Sequence, residues 1–138
     1  MTISAVRSAL SAAVDAISGV RSVAYITDAV NVPSAGAYAT TSLGEIQYDA
    51  AFGGQLNVYE IIVTFYADRE QEQRSQALLD TLKEPSGGTS VKAAIEGNAA
   101  LLALASSLQV KSASAVGEQT IEGVATFLTV EFTIEAMF

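Results

Sequence analysis

The chain has 138 residues, fifteen of them acidic and seven basic, for a net charge of −8. A domain of that size buries roughly two-thirds of the surface its unfolded chain exposes, so it folds without a disulfide or a metal. Neither Cys nor His is present, which excludes thiolate and imidazole zinc sites, cysteine nucleophiles and the Ser-His-Asp triad.

The basic residues Arg7, Arg21, Arg69, Arg74, Lys83, Lys92 and Lys111 form no run. Tight binding to a phosphate backbone is therefore not expected. The start Met1-Thr2-Ile3-Ser4 lacks the basic and apolar regions of a signal peptide. The apolar stretch 99–105 falls far short of the roughly 20 residues a membrane helix needs. A soluble protein, not exported by that route and with no membrane partner, is expected.

Ile3, Val6, Leu10, Val14 and Ile17 recur at spacings of three and four, which predicts a first helix with one apolar stripe. Thr2 suits its N-cap and Gly19 its left-handed stop. Arg7, Ser11, Asp15 and Ser18 are expected on its solvent side. Residues 20–28 alternate in part and read as a strand. Residues 31–42 are built of Ala, Ser, Thr, Gly and one Pro, with Tyr38 the single large side chain. With so little to bury, this stretch is expected to be a long exposed loop.

Residues 43–51 read as a strand, Gly53-Gly54 as a hairpin turn and 56–67 as the long partner strand. Tyr59, Ile61, Val63 and Phe65 are assigned to its core face, which carries no charge to desolvate. The opposite face bears Val58, Glu60, Ile62, Thr64 and Tyr66. A second helix is expected to begin at Asp68, as N-cap with Gln71 as capping-box partner. Ala77, Leu78, Leu79 and Leu82 are expected to face inward, and Glu84-Pro85 to end the helix. Residues 90–96 read as a short helix ended by Gly97-Asn98, and 99–104 as a further helical turn. A strand over 108–116 follows, then a turn at 117–119 and a long last strand over 120–137. Along its end Leu128, Val130, Phe132 and Ile134 alternate with Thr129, Glu131, Thr133 and Glu135, so one face is buried and the other wet.

The result is one α+β domain, a mainly antiparallel β-sheet with the two main helices packed on one face. No constellation in it supports chemistry. Glu131 and Glu135 share a strand face, but no aromatic platform accompanies them as a glycosidase would need. Asp68, Glu70 and Glu72 suit a helix dipole better than a cation. Gly87-Gly88-Thr89-Ser90 lacks the Lys-Ser/Thr ending of a phosphate loop, and the first helix carries too little positive charge for a membrane surface. No catalytic residue, metal ligand or cofactor is expected, and the chain is not expected to be an enzyme.

The stretch Tyr59-Glu60-Ile61-Ile62-Val63-Thr64-Phe65-Tyr66 with the helix over 69–82 resembles the middle of small tail-terminator (tail-completion) proteins of long-tailed bacteriophages. So do Ser90-Val91-Lys92-Ala93-Ala94-Ile95-Glu96, the strand after it, and Gly123-Val124-Ala125-Thr126-Phe127-Leu128 running into the alternating 129–135 end. The similarity runs from the first helix to the last strand. It implies a virion protein, assembled in the host cytoplasm, that forms a hexameric homo-oligomeric ring on the head-proximal end of the tail tube. Such a ring stops tube polymerisation and joins the tail to the head connector, with the tube protein and the connector as partners. DNA passes through without specific binding.

Three expectations follow for this chain. Glu60, Glu131 and Glu135 on the wet sheet face are candidates to line the lumen. Asn31, Val32, Pro33, Tyr38, Thr40 and Thr41 of the small-residue loop are candidates to touch a neighbouring subunit or the tube. The acidic balance suits a channel through which DNA slides. The same architecture also serves head–tail connectors and tail-tube subunits. A different class, a small-molecule-binding α+β module, predicts a closed apolar pocket with a few converging polar groups.

Overall fold

The computed structural model describes residues 3–17, 19–23, 36–48, 57–68, 72–104, 107–121 and 125–137. In chain order the elements are α1 (Ile3–Asp15), β1 (Val20–Val23), β2 (Ala37–Gln47), β3 (Val58–Asp68), α2 (Glu72–Lys83), α3 (Val91–Glu96), α4 (Ala99–Leu104), β4 (Ser107–Ala113), β5 (Gly117–Ile121) and β6 (Ala125–Met137). The strands form a six-stranded sheet in the order β1-β2-β3-β6-β4, with β5 also on β6. Four of its five pairings are antiparallel, and β1 joins β2 in parallel. This is the expected α+β class, with the helices against one sheet face.

Alternation along β3 and β6 builds the core. The two strands pair over eleven positions, setting Ile61, Val63 and Phe65 beside Ile134, Phe132 and Val130. All six are buried in one cluster with Val6, Leu10 and Val14 of α1, Leu79 and Leu82 of α2, and Val91 and Ile95 of α3. Phe65 and Phe132 meet edge to face, with ring centroids 5.2 Å apart. Gly19 takes the left-handed φ of 82° at the end of the first helical segment, as its position suggested.

The stretch expected to be a loop needs the largest correction. Residues 37–42 form the first half of β2, and Ala37, Tyr38, Ala39, Thr40 and Thr41 are all buried. Residues 37–40 pair with β1 on one side and β3 on the other, so small side chains suffice there. Ala37 and Ala39 present little bulk on the face toward α1. Tertiary pairing here overrides the weak strand propensity of Ala. Asn31, Val32 and Pro33, like the turn at Gly53-Gly54, lie outside the described residues.

Other differences are smaller. The last strand is two: the expected turn at 117–119 belongs to β5, which pairs back on β6 from Gly117↔Thr129 to Ile121↔Ala125. Since β3 occupies the other side of β6, β5 continues β4 along one side of it. Asp68 closes β3 opposite Phe127 and α2 is described from Glu72, while Gln71, the expected capping-box partner, lies outside the described residues. The buried stripe of α2 is Ser75, Leu79 and Leu82, with Leu78 half-buried and Ala77 exposed. At about 100° per residue, Ala77 lies on the far side of the helix from Leu79. In α1, Ile3 is 37% exposed, whereas Ser11 is buried and shares a 3.1 Å hydrogen bond with Ser22 of β1.

Arg7 is half-buried, and its Nη1 donates to the Thr41 carbonyl at 3.2 Å. The Thr41 hydroxyl itself is buried with no hydrogen-bond partner among the described residues. An unpaired buried hydroxyl costs about 1–3 kcal/mol, so Thr41→Val, of similar shape, should raise stability by about 1 kcal/mol. Urea unfolding of the two proteins measures this, and a loss of stability would show that the hydroxyl is satisfied.

The short helices are locked at their ends. Ser90 caps α3 by accepting from the Ala93 N–H and also donates to the Glu84 carbonyl, joining the end of α2 to the start of α3. Glu96, the last residue of α3, accepts from both Lys92 Nζ and the Val110 N–H of β4. Partial burial pushes the Glu96 carboxyl up, but the hydrogen bonds from Lys92 and Val110 outweigh it and hold the group below the ordinary glutamate value. A depressed carboxyl stabilises the fold above the unfolded-state value of 4.5, and that contribution is lost as pH falls through the lower folded value. Glu96→Gln keeps an acceptor for Val110 but not the charge. Its stability should therefore fall less than that of the unmodified protein between pH 6 and pH 3. Parallel pH-stability curves would remove Glu96 from the acid response.

Candidate functional site

The face of the sheet turned away from the helices is where the predicted acidic residues meet. Full-length pairing of β3 and β6 sets Glu60 directly opposite Glu135 and Thr64 opposite Glu131. Like charges facing each other across a strand pair repel. Two bulges shape the surroundings of this pair. In β2 the register shifts between Leu43 and Ile46, which brings Gly44 under the Glu60 side chain. A Cβ at position 44 would lie 2.7 Å from Glu60 Oε1, so only glycine leaves that carboxylate its present place. In β4 the register shifts between Val110 and Ser112, and Lys111 Nζ reaches Glu135 Oε2 at 3.1 Å. That pair is half-exposed and contributes no more than about 1 kcal/mol.

Glu45 and Gln47, joined by a 3.4 Å hydrogen bond, complete a shallow cleft of about 210 Å³ with Glu60, Lys111, Thr133 and Glu135. Its charge is three carboxylates against one ammonium. Among the described residues no group of three or more acidic side chains could hold a metal ion. What the arrangement provides is a field of fixed negative charge on a flat β surface. Glu131 stands further along the same face with its side chain exposed. Its backbone is pinned by Ser114, whose N–H donates to the Glu131 carbonyl at 2.8 Å and whose Oγ accepts from the Glu131 N–H at 3.0 Å.

The other end of this face is not wet. Tyr38 sits opposite Tyr66 and Thr40 opposite Thr64, and Tyr66 packs edge to face on Phe127 with centroids 6.1 Å apart. Tyr38, Thr40, Tyr66 and Phe127 are all buried. Tyr38 and Thr40 therefore share a face with the glutamates but are not surface contacts, and Thr41 faces the helices. The structure puts Glu60, Glu131 and Glu135 on one face, with only Glu60 and Glu135 side by side, and removes Tyr38, Thr40 and Thr41 from the exposed set. Glu45, Gln47 and Lys111 escaped sequence reasoning because bulges put them there. An isolated Gly44 inside a strand was the available signal.

Among the described residues no helix is long and apolar enough to cross a membrane. The sequence matches no protein-family model, and no curated protein matches it.

Proposed function

We propose that the chain is a structural virion protein that assembles into a hexameric ring at the head-proximal end of a phage tail tube. There it stops tube growth and joins the tail to the head connector. The observation that carries this reading is the sheet face with Glu60, Glu131 and Glu135, on which no helix packs among the described residues. At either side of that sheet, β1 and the β4–β5 segment are paired on one side only among the described residues. Such a sheet can extend from subunit to subunit, its helices outside and its acidic face around a channel. The negative lining then keeps DNA from adhering in transit. Two clefts lined by described residues, of about 210 and 170 Å³, are each smaller than the roughly 300–1,000 Å³ of typical small-molecule sites.

Negative-stain electron microscopy of the purified protein, with its mass in solution, tests the reading. Closed rings that cap short tubes when tail-tube protein is added are the expected result. Rings that stack into long cylinders would make it a tube subunit, and a monomer that ignores tube protein would overturn the proposal.

A further inference from the structure

Each outer strand of the sheet has a backbone N–H taken by the carboxylate that ends a helix. Among the described residues β1 pairs with β2 alone and β4 with β6 alone. In β1 the Ser22 N–H donates to Oδ1 of Asp15, the last residue of α1, at 3.0 Å. In β4 the Val110 N–H donates to Oε2 of Glu96, the last residue of α3, at 3.0 Å. Neither donor is spent on the ladder. On β1 the neighbours fix the side: the Gly19 carbonyl accepts from Ala37 of β2, whereas the Val20 N–H turns back to the Ile17 carbonyl. Backbone groups alternate sides along a strand, so the Ser22 N–H, like that of Val20, points away from β2. On β4, Lys92 donates to the same Glu96 oxygen and holds the carboxylate in place. The β4 ladder also shifts register between Val110 and Ser112, with Lys111 at the shift. A bulge and a lysine both blunt a strand edge.

We propose that Asp15 and Glu96 are edge guards, which keep a second copy of this chain from adding its strand to β1 or β4. Strand addition needs a row of free N–H and C=O groups along an edge. An incoming strand offers each donor a neutral carbonyl, and the carboxylate already there makes the stronger, charge-assisted bond. A second copy is the partner excluded, because the two guarded strands end one sheet. Unguarded, β1 of one subunit and β4 of the next would pair head to tail, a contact that repeats from copy to copy. The inference concerns the isolated subunit and does not rest on the ring. In the ring proposed above, joining through these strands requires the carboxylates to swing aside.

The test is sedimentation of the purified protein over a concentration series, with amide exchange followed by NMR. Asp15→Ala combined with Glu96→Ala should self-associate at a concentration about tenfold lower than the unchanged protein, as expected for loss of a hydrogen bond to a charged group. In that double variant the Ser22 and Val110 amides should exchange freely in the monomer and become protected as it associates. Asp15→Asn combined with Glu96→Gln removes the same charge but keeps an acceptor at each place, and should associate no more than the unchanged protein. Asp15→Leu with Glu96→Met, which also lack an acceptor, serve where the double alanine variant loses its native spectrum. Association unaltered by loss of both acceptors, or equal in the alanine and amide variants, would overturn the proposal. So would association that leaves Ser22 and Val110 unprotected, or an unchanged protein already joined through these two amides.

Discussion

Phe132→Ala should cost about 3–5 kcal/mol of folding stability. Phe132 is 2% exposed and lies in β6 between Val63 of β3 and Ala113 of β4. It meets Phe65 edge to face, a contact worth roughly 0.5–1.5 kcal/mol beyond the area it buries. Truncation removes that contact and opens a void on the central strand pair, where both neighbours are held by the ladder and the site cannot collapse. Stability of a domain is about 5–15 kcal/mol, so the variant should sit close to its unfolding threshold. A denaturant melt with unchanged slope and a lower midpoint measures this. Phe132→Leu, which keeps most of the volume, should lose far less. A shift below about 0.5 kcal/mol for the alanine variant would contradict the burial of this face.

That residue was legible from spacing alone, and the reason is general to β3 and β6. Each alternates large apolar residues with polar ones over most of its length, so a one-residue slip would exchange every buried side chain for a wet one. Core membership at Ile61, Val63, Phe65, Leu128, Val130, Phe132 and Ile134 follows from that pattern. The α1 stripe from Val6 to Ile17 was readable for the same reason, at helical period.

The parts that were not legible lack such a contrast. In β2 the residues Ala37, Ala39, Thr40 and Thr41 are small, and their place inside the sheet depends on β1 and β3, a tertiary fact with no local trace. The parallel pairing of β1 with β2 is likewise set by partners far along the chain. Bulges decide the acidic site: the shift at Lys111 supplies the cation beside Glu135, and the shift at Gly44 makes room for Glu60. Alternation put the three glutamates on one face, but it could not register Glu60 against Glu135, nor tell which end of that face is buried. Tyr66, on the face opposite the core by parity, is buried, as is Phe127 packed on it.

Reversing the charge at Glu131 should slow DNA passage through assembled particles while leaving the subunit's stability within about 0.5 kcal/mol of its original value. This expectation rests on the ring proposed above. Glu131 is the cleanest of the three glutamates to change. Glu135 has an ion pair with Lys111 to lose, and Glu60 is fitted against Gly44, whereas the Glu131 side chain is exposed on the sheet face. Symmetry multiplies the change, since every subunit of a ring would present the new lysine at the same height of the channel. Each added ammonium that meets a phosphate releases a counterion, so adhesion should be strongest at low salt and fade as salt rises. Fixed charges on a low-dielectric wall act over a Debye length of roughly 8 Å at physiological ionic strength, enough to reach DNA in a narrow channel. Asp80→Lys, the same charge change on the exposed side of α2, is the control and should leave passage unaltered, because the proposed ring carries its helices outside. The readout is the ejection rate of particles carrying either substitution, followed across a salt series. Ejection at the ordinary rate in low salt for Glu131→Lys would mean that this face does not line the path of the DNA, and equal slowing by both substitutions would mean that overall charge, not the sheet face, governs passage.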